Sequence, residues 1–256
     1  MSVGIVQERR LRYLEVANWN EPAGVKPRGT LFLLSGRGEK PEVYTRFATR
    51  ISADAYRVVV ISATDYTTPG AKAELDVVIN ATDVVEPSVL VGSDVGARAA
   101  LELAASRTLN IDAVITAGLA IAGAAPIGDR DAEIEARTAC PVHRGVLGRA
   151  THARLSTAVG SIALGRPAPT GINVPVLAIH GAADAISPVD PAIAFYRNAG
   201  VAEVTVVDAG RHDILNDVTH RSVAAVIVLF LERLRLGAGQ QPLVVPTPTS
   251  PQPVIT

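Results

Sequence analysis

The sequence predicts an α/β protein, a mainly parallel central sheet covered by helices on both faces. Two observations carry this. From residue 29 onward, short apolar runs rich in Val, Ile and Leu alternate with stretches of helical spacing. Several of those runs end in Gly-containing turns, where a buried strand hands over to a helix. Of the 256 residues, 48% are hydrophobic and 19% charged, which suits a globular chain with one large core.

In chain order, residues 3–8 and 11–17 are expected as two strands joined tightly at Arg9 and Arg10. Residues 18–28, with Pro22 and Pro27, form a loop. Residues 29–34 are a strongly apolar strand that ends in Ser35-Gly36-Arg37-Gly38-Glu39, and Pro41 opens a helix to about residue 53. A strand at 57–62, a turn-rich loop at 64–70 and a helix at 71–82 follow. Residues 89–91 are a buried strand, and 97–105 are rich in helix formers. Further strands are expected at 111–116, 174–179 and 204–207, with a helix at 191–199 and a long terminal helix at 217–236.

The alternation lapses between Gly123 and Gly171, a span too long for a loop between neighbouring elements. It has helical patches near 132–137 and 150–164 and reads as a small cap over the strand ends. The expected organisation is a core of residues 1–122 and 171–236, a cap of 123–170, and a Pro-rich, extended or disordered tail of 237–256.

A net charge of −1 argues against nucleic acid or an anionic membrane as partner. The single cysteine, Cys140, excludes an intrachain disulfide and suits a reducing cytoplasm. Residues 1–10 lack the apolar core of a signal peptide, and no apolar run is long enough to span a bilayer. The expectation is a cytoplasmic protein with a small-molecule substrate; a homodimer stays open.

In parallel sheets, ligands gather at the carboxyl ends of the strands. The turn after residues 89–91 is Gly92-Ser93-Asp94-Val95-Gly96. Small residues two before and two after Asp94 let strand and helix pack closely and push the central side chain outward. Tight strand-to-helix turns need Gly in any doubly wound sheet, so the pattern alone is weak. Ser93 is off centre and reads as a turn residue at the edge of the site. The Ser35–Glu39 turn exposes backbone N–H groups, and those of Arg37 and Val95 are candidates for holding an oxyanion; an ordinary Gly turn is the plainer alternative. Gly36, Ser93 and Tyr44 are candidate substrate contacts. After the 174–179 strand, Asp184 could orient an imidazole or merely cap a turn, while His180 reads as structural. After the 204–207 strand comes His212, the only histidine between a strand and the terminal helix. The order is nucleophile Asp94, acid Asp184, base His212. Cys140, His143 and His152 have spacings of no common zinc site, so neither metal nor cofactor is expected.

On these residues the chain resembles the α/β-hydrolases over roughly residues 10–236, whose triads run in this order. The Ser35–Glu39 turn, with Tyr44, Phe47 and Ala48, resembles the monoacylglycerol-lipase and lysophospholipase branch. That branch carries His where this chain has Ser35, and Ser where it has Asp94. The Asp elbow resembles epoxide hydrolases and haloalkane dehalogenases, whose carboxylate forms an alkyl-enzyme ester that His-activated water cleaves. Here the Tyr of epoxide-hydrolase caps has no counterpart between Gly118 and Gly171, and the Trp of dehalogenases is replaced by Val95; the one Trp is Trp19. The resemblance implies hydrolysis of a small or medium apolar ester-type substrate, with epoxide or haloalkane hydrolysis and a non-catalytic binding role as alternatives. Ala and Gly in residues 117–125 suit an apolar pocket floor or simple close packing.

Overall fold

The computed structural model describes residues 7–81, 83–121, 127–151, 166–237 and 244. Its centre is an eight-stranded sheet: β1 Gln7–Arg10, β2 Leu14–Trp19, β3 Gly29–Leu34, β4 Tyr56–Ala63, β5 Ser88–Ser93, β6 Ala113–Ala117, β7 Val176–Gly181 and β8 Val204–Val207, in the order β1-β2-β4-β3-β5-β6-β7-β8. β1 and β2 run antiparallel at one edge, and every pairing from β4 to β8 is parallel. The helices are α1 Thr45–Ala53, α2 Pro69–Ala81, α3 Val95–Ser106, α4 Arg130–Arg137, α5 Pro141–Ala150, α6 Val189–Asn198 and α7 His220–Leu236, with a short 3-10 turn at Pro41–Tyr44.

The strand pattern explains the layers. β3 and β5 are buried at every residue because helices cover both faces. Leu31, Leu33, Val58, Val60, Val89 and Val91 face α1 and α7. Their neighbours Phe32, Leu34, Val59, Ile61 and Leu90 face α2, α3 and α6. β3 pairs with β4 on one side and β5 on the other, so the chain reverses its direction of travel across the sheet there. Side by side at that reversal lie the turn after β3 and the turn after β5, the crevice where such sheets bind ligands.

Most expected elements are present within one or two residues. The first turn is a correction: it lies at 11–13, because the backbone N–H groups of Arg12, Tyr13 and Leu14 donate to the Glu74 carboxylate of α2. The helix expected from residue 150 onward falls mostly outside the described residues, as do most of residues 237–256 and the first four residues of the 3–8 strand. α5 was not expected. Pro141 starts it, and Leu147 is fully buried although Gly145 and Gly148 weaken the helix. α4 carries a side-chain cap, Asp129 accepting from the Ala132 N–H at 2.9 Å. The end of α5 is pinned to the β3 turn: the Lys40 N–H donates to the Ala150 carbonyl at 3.0 Å, and Glu39 bridges Thr151 as paired extended backbone. Among the described residues no helix is long and apolar enough to cross a membrane.

Candidate active site

Asp94 is the hinge between β5 and α3, with φ 52° and ψ −117°. A non-glycine residue there carries strain of about 1–3 kcal/mol, which only close packing sustains. Glycines at 92 and 96 make that packing possible. A Cβ on Gly92 would collide with the Gly96 carbonyl, and one on Gly96 with the Leu34 carbonyl. The Asp94 N–H donates to the Ala117 carbonyl at 3.1 Å, and its own carbonyl accepts from Ala97 and Ala120, each at 3.2 Å.

On one side of the carboxylate stands His212. Its Nδ1 is 2.7 Å from Asp184 Oδ2, and its Nε2 is 3.3 Å from Asp94 Oδ1, within reach but not aligned as a hydrogen bond. Asp184 is held by the N–H groups of Ile186 at 2.9 Å and Ser187 at 2.8 Å through its other oxygen. Gly118, at φ 54°, lets the His212 loop approach, since a Cβ there would strike the His212 carbonyl. Burial alone would discharge His212, but the charges of Asp184 and Asp94 outweigh it and push its pKa up to about 10. The two carboxylates therefore favour the charged imidazolium. The Asp184 carboxyl, raised by burial, is brought below the usual range by His212 and His180.

On the other side stands Arg37. Its Nε is 2.7 Å from Asp94 Oδ2, its Nη2 2.7 Å from Oδ1, and its backbone N–H 3.0 Å from Oδ2. Burial raises the Asp94 pKa, but Arg37 and His212 together hold it well below the ordinary carboxylate value. Beyond Arg37 lies Arg137 of α4, fully buried. It is 2.8 Å from Glu39, 3.2 Å from Asp213, 3.5 Å from Glu133 and 3.6 Å from Asp94. Glu39 accepts from the Gly36 N–H at 3.1 Å and from the Tyr44 hydroxyl. Burial and the neighbouring Asp213 charge push it up to about 7 against the pull of Arg137. His143 Nε2 lies 3.2 Å from Asp213 Oδ2.

The structure thus brings Asp94, His212, Asp184 and the Arg37 N–H together. Val95 opens α3, where an N–H has no intrahelical acceptor. Gly36, Ser93 and Tyr44 are near but buried, and Tyr44 spends its hydroxyl on Gly36 and Glu39. His180 is structural, 2.7 Å from the Ser187 carbonyl. Ala117, Gly118 and Ala120 serve close packing against Asp94 and His212, so the apolar floor expected there is a packing surface. A cavity of about 280 Å³ borders Gly38 and Glu39, but neither Asp94 nor His212 lines it. Sequence reasoning missed Arg137, Glu39 and Asp213. The available signals were the Glu133–Arg137 pair at helical spacing and a carboxylate directly after His212.

No protein-family model matches the sequence, and no curated protein matches it. Solved structures do. A soluble variant of monoglyceride lipase from Saccharomyces cerevisiae, in complex with a substrate analogue, aligns at a TM-score of 0.71 and 15% identity, over 91% of this chain and 96% of that one. This is the α/β-hydrolase fold. The monoacylglycerol lipase of Paleococcus ferrophilus aligns at 0.65 and 17% identity, over 86% of this chain and 99% of that one. The serine hydrolase CarC, involved in carbazole degradation, aligns at 0.65 and 17%, over 88% and 98%. In this chain the strand-to-helix turn after β5 carries Asp94, and the loops after β7 and β8 bring Asp184 and His212 beside it.

Proposed function

We propose that the chain is a hydrolase of ester-type acyl bonds, with Asp94 as nucleophile, His212 as proton carrier and Asp184 as orienting acid. The observation that carries this is the His212 imidazole set between two carboxylates, Asp184 at 2.7 Å and Asp94 at 3.3 Å, over the strained elbow. The fold neighbours that act on monoglycerides support the ester-type bond.

The charge state of His212 sets the order of events. An Asp94 oxygen attacks the acyl carbon; the Arg37 N–H, released from Asp94 Oδ2, and the Val95 N–H receive the developing oxyanion, each worth ~10²–10³ in rate. The ester C–O bond breaks, and the leaving alkoxide takes the Nε2 proton of the imidazolium. The product of this half is an Asp94–acyl anhydride, an alcohol and a neutral His212. With Asp94 uncharged, His212 faces one carboxylate instead of two, so its pKa falls and it becomes a base. Water then gives a proton to Nε2 and adds to the anhydride. This releases the acid and restores both the Asp94 carboxylate and the imidazolium.

His212→Gln removes the second half. Incubated with an activated acyl ester, that variant accumulates an acyl mass on the peptide containing Asp94. An unmodified peptide with every ester tried excludes the covalent mechanism. Halide release or diol formation, with no ester cleavage, would move the assignment to haloalkanes or epoxides.

One observation favours a second reading. The Arg37 fork satisfies both Asp94 oxygens in a site that is 1% exposed at Asp94, as a locked, non-catalytic binding protein would have it. Asp94→Ser separates the two: esterase activity confined to the Ser variant means the natural chain does not catalyse.

A further inference from the structure

Resting on the hydrolase reading, we propose that the substrate carries an anionic group, a carboxylate a few bonds from the scissile carbonyl, and that Arg37 leaves Asp94 to bind it. Arg37 is 8% exposed, and its backbone N–H, Nε and Nη2 contacts among the described residues all go to Asp94. Acylation consumes the Asp94 charge: an Oδ–acyl bond forms, the ester C–O bond breaks, and the leaving oxygen takes the His212 proton. A neutral acyl group would then leave a buried guanidinium with no counterion, which is strongly unfavourable. A carboxylate on the acyl chain replaces the lost partner, in the bidentate geometry the guanidinium favours.

Arg137 cannot take this role, because Glu39, Asp213 and Glu133 already hold it within 3.5 Å. It stands 3.6 Å from Asp94. Gly38, at φ 65°, turns the backbone just after Arg37. The substrate is then an apolar chain that ends in an acid.

Two esters of equal chain length test this: p-nitrophenyl pentanoate, which ends in a methyl, and mono-p-nitrophenyl glutarate, which ends in a carboxylate. The wild type should favour the glutarate on the order of 10²-fold in kcat/KM, mainly through KM. Arg37→Gln should abolish that preference, and Arg37→Lys should restore part of it. Free glutarate should bind the wild type measurably by calorimetry and bind Asp94→Asn more tightly, by about tenfold, because the guanidinium is then unpaired. Pentanoate preferred by the wild type, or equal losses on both esters in Arg37→Gln, overturns the proposal and leaves the hydrolase reading intact. A wild type that neither binds glutarate nor cleaves its monoester also overturns it, whatever happens to the neutral ester. The absence of any adduct in His212→Gln is the separate failure of the hydrolase reading.

Discussion

Asp94 has two unlike neighbourhoods. Towards β7 and β8 it meets His212 and Asp184, a short chain in which a proton has somewhere to go. Towards β3 and helices α4 and α5 it meets Arg37, and beyond it Arg137, Glu39, Asp213 and His143, a knot of charged and polar groups that hold one another. The first side has the orphaned Nε2 that chemistry needs. The second answers each charge with an opposite one. On the proposed mechanism, reaction and restraint fall on opposite flanks of one carboxylate, so substitutions on the two flanks should fail in different ways.

The largest expected effect is on the reacting flank. Asp184→Asn should leave the fold intact yet lower kcat by a factor on the order of 10³–10⁴, since the imidazole loses its tautomer and its charge partner. Steady-state kinetics beside a thermal melt would show the split; a stability loss as large as the rate loss would contradict it. The restraining flank should behave the other way. Arg137→Leu strands Glu39 and Asp213 without their cation, at a cost of about 3–5 kcal/mol read from urea unfolding.

The pH dependence sharpens the comparison. His212 rises from 6.5 to about 10 on folding, so its stabilisation is complete below about pH 6.5 and fades as pH climbs to 10. Glu39 rises from 4.5 to about 7, so ionising it in the fold removes stability between those values. Asp94, Asp184 and Asp213 are lowered, and their contribution is lost as pH falls below their ordinary value of 3.8. The melting temperature should therefore peak in mildly acid solution and decline towards pH 9. His212→Gln should flatten the alkaline decline, and Glu39→Gln the smaller one between pH 4.5 and 7. A profile that rises steadily from pH 5 to 9 would refute both assignments.

The two flanks also differ in how far the sequence disclosed them. Asp94, Asp184 and His212 each follow an apolar strand, and the parallel sheet delivers strand ends to one edge, so their convergence follows from the alternation. The Gly92 and Gly96 framing was legible for the same local reason: two backbones cross there. Arg137 meets Glu39 across 98 residues and Asp213 across 76, from the segment between β6 and β7, whose direction no periodicity encodes. The side chain of Arg37 was legible as a possible activator but could not be placed, since its target is fixed by the switch between β3 and β5. α5 was hidden by Gly145 and Gly148, and the first turn was misplaced because Glu74 draws three N–H groups from a distance.

The account depends most on His212 being charged until Asp94 is consumed. Nitrogen-15 NMR of the imidazole across pH 5–10 tests that directly, in the wild type and in Asp94→Asn. The expected result is both ring nitrogens protonated in the wild type well above pH 7, with the titration moved clearly lower once Asp94 is neutral. A single neutral tautomer at pH 7 that ignores the Asp94 substitution would contradict it.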